Sequence, residues 1–349
     1  MRTITSEKIS RFKKYIQESS CVSVVVHTHP DGDAMGSSMA LAAFLQRSGV
    51  ASVKVIAPDE WGAGLDFIVD KSLVINATEN PSEAQAWISK SDLIVCEDLS
   101  DLSRSGIVEP WIRDCAAPRV LVDHHLAPSL ESFDLVFSET EISSTCELLY
   151  FVLQAFESGP LTVSEGTALF VGMTTDTNNF ANSVHPTTLE MASGLLKLGV
   201  DRDAILVEIY NRFRENRFRA MSYYLGDAMH ITGNGLAYVV FDKETLMKYE
   251  LQDGETEGFV NLPLGMEKVH YSVFLKEDNG YFRVSIRSKK GYSANQLARQ
   301  YFNGGGHECA AGGRLYFPEN IENPTFASAY IEDVAARLLH SDPAEDVNR

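Results

Sequence analysis

Basic residues are in short supply in this 349-residue sequence: 30 Lys and Arg face 48 Asp and Glu, giving a formal net charge of −18. Gripping long nucleic acid through its phosphates needs the opposite sign, so any anionic ligand is expected to be short or held through metal. Long duplexes are poor candidates. Cysteine is scarce too. The five present (Cys21, Cys96, Cys115, Cys146, Cys309) are odd in number, scattered and never spaced C-x-x-C, which argues against a disulfide framework and a structural zinc site. Long apolar runs are missing as well, since no stretch approaches the roughly 18 residues of a membrane span. The opening "MRTITSEKISRFKKYIQ" has no apolar signal core. The expectation is a soluble, cytoplasmic protein with no membrane partner.

What is present points to two domains, because 44% apolar composition over this length can bury a sizeable core and exceeds one ordinary domain. Residues 5–18 have helical apolar spacing. The runs "CVSVVVH", "SVKVIAP", "DLIVCED" and "RVLVDHH" then alternate with helical segments, which predicts a parallel sheet with helices on both faces over residues 1–200. Residues 201–232 read as a long, charged, helical connector and hinge. From 233 to 342 the runs "LAYVVFD", "VHYSVFLKE", "YFRVSIRS" and "GRLYF" alternate between turns, predicting a smaller α/β domain with a mixed or mostly antiparallel sheet. The tail "DPAEDVNR" is expected to fray.

Polar clusters follow the ends of the apolar strands, where ligands collect in such sheets. "HTHPDGDAMGSS" offers His27, Asp31 and Asp33, with Gly32 allowing a sharp turn between the acids and Gly36, Ser37 and Ser38 opening a helix. Aspartate with neutral histidine suits Mn²⁺ or Mg²⁺, although an Asp-Gly turn with solvated carboxylates gives the same pattern. His29 reads as structural or as a support for a neighbouring ligand, with a direct ligand role the lesser alternative. "LIVCEDLSD" places Glu97 and Asp98 at the end of a second strand, where Asp98 either bridges two metals or belongs to a helix cap. "VDHH" supplies Asp123, His124 and His125, from which one histidine could bind metal while the other protonates a leaving group. "MTTDTNNF" reads as a strand ending in Asp176, oriented by Thr175 and Thr177, or as an Asx turn. In the second domain "FNGGGHECAAGG" supplies Gly304, Gly305, Gly306 and His307 for close approach to an oxyanion, and Arg287 offers a phosphate fork.

Taken together, "HTHPDGDAMGS", "VCEDLSD", "VDHH", "TTDTNNF" and "GGGHECAAGG" resemble the motifs of the DHH phosphoesterase superfamily with its DHH-associated C-terminal domain, most closely the NrnA-type bifunctional oligoribonucleases and pAp phosphatases. The resemblance runs from about Ile9 to Tyr316. It implies that His27, Asp31 and Asp98 hold one Mn²⁺ (with Mg²⁺ the other candidate), and that Asp33, Asp98, His124 and Asp176 hold a second, with Asp98 bridging. His125 then stands near the scissile phosphate, Asp123 orients a neighbouring histidine, and Arg287, His307 and the Gly304–Gly306 backbone bind substrate. Two departures are visible: Asn178 replaces the usual glycine after T-D-T, and Glu97 stands where the family tends to be apolar.

The expected chemistry is hydrolysis of short RNA oligonucleotides to mononucleotides, and of pAp to AMP, by a water activated between two divalent ions. The two domains would close on the substrate. Cyclic or linear dinucleotides, or polyphosphate, are alternative substrates for the same site. A non-catalytic nucleotide-binding sensor is the reading from another class, and the full set of acids argues against it. A homodimer is left open.

Overall fold

The β-branched runs of the N-terminal half form six strands: β1 (Cys21–Val25), β2 (Ser52–Ala57), β3 (Val74–Asn76), β4 (Leu93–Glu97), β5 (Arg119–Asp123) and β6 (Leu135–Ser138). This computed structural model describes residues 3–157, 159–252 and 254–338. The strands pair in parallel in the order β3-β2-β1-β4-β5-β6. Helix α1 (Ser6–Glu18) precedes the strands, α2 (Gly32–Arg47), α3 (Pro81–Ser89) and α4 (Glu109–Asp114) lie in their connections, and α5 (Thr145–Gln154), α6 (Val163–Asp176), α7 (Pro186–Leu198) and α8 (Arg202–Tyr210) follow. Alternation along the strands covers both faces. Val24 and Val95 join an apolar cluster with Phe12 of α1 and Leu41 of α2, whereas Val25 and Cys96 join another with Ile88 of α3 and Ile112 of α4. Strand order reverses at β1 and β4, and the crevice at their carboxyl ends is where an open parallel sheet takes its ligand.

Helices α2 and α6 approach very closely because glycines line their crossing. A Cβ at Gly36 would stand 2.5 Å from the Ala168 carbonyl oxygen, and one at Gly172 would stand 2.2 Å from Cys146 Sγ and 2.8 Å from Asp33 Oδ1. The fold therefore brings the start of α2 against the end of α6.

Residues 163–176, read from the sequence partly as a strand, are helix α6. A short run such as "ALFVGM" has no period that separates a buried strand from a helix buried on every side, and Leu169, Phe170, Val171 and Met173 are all fully buried or within 1% of it. Two compact units divide between Arg212 and Phe213. This boundary falls inside the stretch 201–232 read as one connector. That stretch is not a single element: α8 belongs to the first unit, and α9 (Glu215–Gly226) to the second.

In the second unit, β7 (His230–Ile231), β8 (Leu236–Phe241), β9 (Tyr271–Glu277), β10 (Tyr281–Ser288), β11 (Gly305–Gly306) and β12 (Ala310–Tyr316) form a sheet ordered β11-β12-β10-β9-β8-β7. Only β8 with β9 is parallel, so the sheet is mixed. Tyr224 of α9 is buried among Phe241, Phe259 and Phe274. On the same helix Arg217 lies 3.9 Å over Phe213 and donates to the carbonyls of Glu255 and Glu257, which makes its burial tolerable. No described helix is long and apolar enough to cross a membrane. The tail 342–349 lies outside the described residues.

Candidate metal centre

Five strand and helix ends deliver the acids and histidines. His27 follows β1, and Asp31 caps α2 by accepting from the N–H groups of Asp33 (3.0 Å) and Ala34 (3.1 Å). Helix α2 thus begins at Gly32, four residues before the point where the sequence opened it, and carries Asp33 in its first turn. Gly32 is helical, not a sharp turn. Its missing side chain matters for another reason, since a Cβ there would lie 2.4 Å from Thr175 Oγ1. Asp98 follows β4 with φ 58°, a sparsely populated backbone for a residue with a side chain, and its N–H donates to the Val122 carbonyl at 3.0 Å. His124 follows β5, and Asp176 closes helix α6 where the sequence placed it at a strand end. Thr175 and Thr177 do not orient it. Their hydroxyls donate instead to helix carbonyls, Gly172 at 3.0 Å and Met173 at 2.7 Å.

These groups sort into two triads around Asp98. His27, Asp31 and Asp98 present donor atoms within 4.8 Å of one another, and so do Asp33, His124 and Asp176. Asp98 Oδ2 is 3.3 Å from His27 Nε2 in the first triad, and its Oδ1 is 3.5 Å from His124 Nε2 in the second. One carboxylate therefore faces both groups, one oxygen each. His124 Nε2 is also 3.2 Å from Asp176 Oδ2 and 3.7 Å from Asp33 Oδ2. Mixed oxygen and imidazole donors fit a hard or borderline divalent cation, and metal–ligand distances near 2.0–2.2 Å require donor separations of this order.

The electrostatics fit as well. Asp33 and Asp98 are almost wholly buried. Burial, and then the charges of Asp98 and Asp31, hold the Asp33 carboxyl well above the ordinary carboxylate range, although the Cys146 N–H opposes this. Burial also raises Asp98, but the His27 hydrogen bond and the charges of His125, His27 and His124 outweigh it and hold Asp98 below that range. For His27, burial is outweighed by the bond to Asp98 and the charges of Asp31 and Asp98, so its pKa rises. Burial lowers His124. A buried carboxyl pushed up by its acidic neighbours, as Asp33 is by Asp98 and Asp31, is what a divalent cation would relieve. Next door, burial pushes the Glu97 carboxyl up to about 8.

Supporting contacts fix the donors. His27 Nδ1 lies 2.8 Å from the Thr28 carbonyl, which assigns its proton to Nδ1 and leaves Nε2 for a ligand role. The first amides of α5 donate to Asp33, Thr145 N–H at 2.7 Å and Cys146 N–H at 2.9 Å, and the Thr145 hydroxyl donates to Asp98 Oδ1 at 2.9 Å. Sequence reasoning missed Thr145 and Cys146. The signal available was Ser144-x-x-Glu147, a helix-start pattern whose Ser144 does accept from the Glu147 N–H. It also missed Arg104, whose guanidinium donates to His125 Nε2 at 3.0 Å and thus stands beside the centre. Asp123 holds the other edge of that ring, 2.8 Å from Nδ1. His29 turns away to Asp59, 3.1 Å from Nδ1.

In the second unit, the Arg287 guanidinium donates to the Ile286 carbonyl at 2.9 Å, and the His307 N–H donates to the Ala310 carbonyl at 2.7 Å. The glycines there meet a local packing need. A Cβ at Gly304 would lie 1.9 Å from the Gly312 carbonyl, and Gly306, at φ 148°, donates its N–H to Asn295 Oδ1 at 3.1 Å. Gly305 has no neighbour closer than 3.5 Å along that direction.

Residues 21–173 match the DHH family, N-terminal domain, and residues 233–331 match the DHHA1 domain. The chain belongs to the DHH family of phosphoesterases. Among its relatives is the probable bifunctional oligoribonuclease and PAP phosphatase NrnA of Streptococcus mutans serotype c, 26% identical over 316 residues that cover 84% of this chain and 89% of that one. The cyclic-di-AMP phosphodiesterase PdeA of Listeria monocytogenes serotype 1/2a is 28% identical over 309 residues, 84% of this chain and 45% of that protein. The crystal structure of an exopolyphosphatase-related protein from Bacteroides fragilis, 30% identical, superposes with a TM-score of 0.88 over 97% of this chain and 98% of the other.

Proposed function

We propose that this protein is a Mn²⁺-dependent hydrolase, acting in the cytoplasm, that trims RNA oligomers of a few nucleotides to mononucleotides and removes the 3′-phosphate of pAp. The observation that carries the reading is the division of Asp98, with one oxygen toward each triad. His27, Asp31 and Asp98 would hold one cation, and Asp33, Asp98, His124 and Asp176 the other. Two ions bound there would supply the Lewis acidity that activates water and neutralises charge developing on the phosphate.

The protein's own groups then position and neutralise. Asp123 fixes the His125 ring through Nδ1, and its Nε2, the acceptor of Arg104 in this structure, would pass a proton to the departing oxygen once Arg104 turns to the phosphate and Nε2 is protonated. Arg104, now on that edge, has the planar fork that pairs with a phosphate. Arg287, His307 and the Gly304–Gly306 backbone are assigned to the substrate's own phosphate. The net charge of −18 suits short substrates held through metal.

The test is release of AMP from a dinucleotide and from pAp by purified protein with Mn²⁺. No AMP from either would end the proposal. The similarity to a cyclic-di-AMP phosphodiesterase supports a second reading for the same site, and faster turnover of the cyclic dinucleotide than of both other substrates would establish it.

A further inference from the structure

We propose that a cavity beside the C-terminal turn of α6 is a subsite for a nucleobase, an inference that rests on the nucleotide reading above. The cavity, about 350 Å³, is lined by Asn178, Asn179, Leu206, Tyr210 and Asn211, all in the first unit. This volume lies at the small end of the roughly 300–1,000 Å³ of small-molecule sites. None of its lining residues carries a charge, so it is matched poorly to a phosphate. It is matched well to a base: a tyrosine ring and a leucine offer flat apolar contact, and three amides offer donors and acceptors to a base edge.

The backbone supports the same assignment. Asn178, Asn179 and Phe180 occupy the left-handed region in succession, at φ 47°, 54° and 66°. Each such residue costs energy when it carries a side chain, and Phe is among the least suited. The run is held by N–H bonds from Asn178 to the Thr175 carbonyl (3.1 Å), from Asn179 to the Thr174 carbonyl (2.8 Å) and from Phe180 to Thr177 Oγ1 (3.0 Å). Glycine would adopt φ 47° without strain. Asparagine is, after glycine, among the residues that adopt φ 47° most readily, so Asn178 can hold this turn while presenting an amide that glycine lacks. Asn179 is further oriented by Arg202, which donates to its Oδ1 at 3.1 Å, since an arginine can only donate.

The cavity walls are tied to the turn that carries Asp176. The Tyr210 hydroxyl donates to the Thr174 carbonyl at 3.3 Å, so the aromatic wall and the candidate metal ligand share one helical turn. The lining residue Asn178 stands two positions after Asp176 in the chain, so the pocket adjoins the turn that carries this acid.

Adenosine and ribose are the probes, because neither carries phosphate and neither depends on metal or turnover. Saturation-transfer NMR on the full chain should show transfer to the adenine protons H2 and H8 and none to free ribose. Asn178→Gly and Tyr210→Ala should each cut the adenine signal about tenfold, the scale expected for loss of one stacked or hydrogen-bonded base contact. Asn178→Gly relieves strain, so a melting temperature no lower than that of the parent certifies its fold. Absent transfer to adenine in the parent protein, or undiminished transfer in both variants, overturns the subsite. Because hydrolysis is not the readout, adenosine binding without AMP release from dinucleotides would retain the subsite and reject the nucleolytic function.

Discussion

Replacing Gly172 by alanine should damage the metal centre although no candidate ligand is itself replaced. A Cβ there would stand 2.2 Å from Cys146 Sγ, where ordinary contact begins at 3.4 Å, a shortfall of about 1.2 Å. The same atom would crowd Asp33, at 2.8 Å from Oδ1 and 2.9 Å from Cα. Helices α2 and α6 cannot both stay in place, and overpacking of this kind costs about 1–3 kcal/mol. Movement of Asp33 would also loosen its bonds from the Thr145 and Cys146 amides, 2.7 and 2.9 Å long, each worth about 1.5–3 kcal/mol when the acceptor is charged. A melting temperature lower by several degrees is expected, at roughly 2–4 °C per kcal/mol for a unit of this size. A displacement near 1 Å at a reacting centre costs on the order of 10²-fold, so hydrolysis should fall by about that factor. Calorimetric melting and a steady-state Mn²⁺ assay measure the two effects. Adding Cys146→Ala removes the worst clash and should recover part of both losses, a coupling that a double-mutant cycle quantifies. A Gly172→Ala protein as stable and as active as the parent would show that the close crossing of α2 and α6 does not set the position of Asp33.

Glu97 gives a pH prediction. Its buried carboxyl, raised to about 8 from an ordinary value near 4.5, holds its proton more tightly folded than unfolded, so its contribution to stability is complete below about 4.5 and declines as pH rises toward 8. Glu97→Gln should flatten the fall in metal-free stability between those values in urea titrations, and an unchanged slope would contradict the assignment. Arg104→Ala should raise KM and lower kcat/KM by about 10–100-fold, since the fork beside His125 is lost while each metal triad keeps its donors. An unaltered kcat/KM would remove Arg104 from the substrate's path.

Much of this architecture was legible in the amino acids. The strands β1, β4 and β5 stand out because each is a short β-branched run buried on both faces, and their polar followers are the residues that converge. Asp98 draws attention because an acid directly after a fully buried strand is oddly placed for solvation, but taken alone it fits a helix cap as well, and only the acids and histidines after the other strands tip the reading. Asp176 was found for the right chemistry on the wrong element: a helix enclosed on all sides shows no polar face and so no 3.6-residue period. The start of α2 was hidden for a related reason. Asp31 and Gly32 read as a turn, whereas the aspartate caps the helix and the glycine admits Thr175. Arg104 and the α5 amides were not legible because their roles come from tertiary placement, with Arg104 separated by 21 residues from the histidine it meets and Thr145 by 112 from Asp33.

The claim on which the rest depends is that Asp98 serves two ions at once. Titrating metal-free protein with Mn²⁺ in a calorimeter, with the bound metal counted by elemental analysis, tests it directly. Two ions per chain are expected for the parent protein, and Asp98→Ala should retain at most one and release no AMP from a dinucleotide. A parent protein that binds a single ion, or an Asp98→Ala variant that binds two and stays active, would contradict the account.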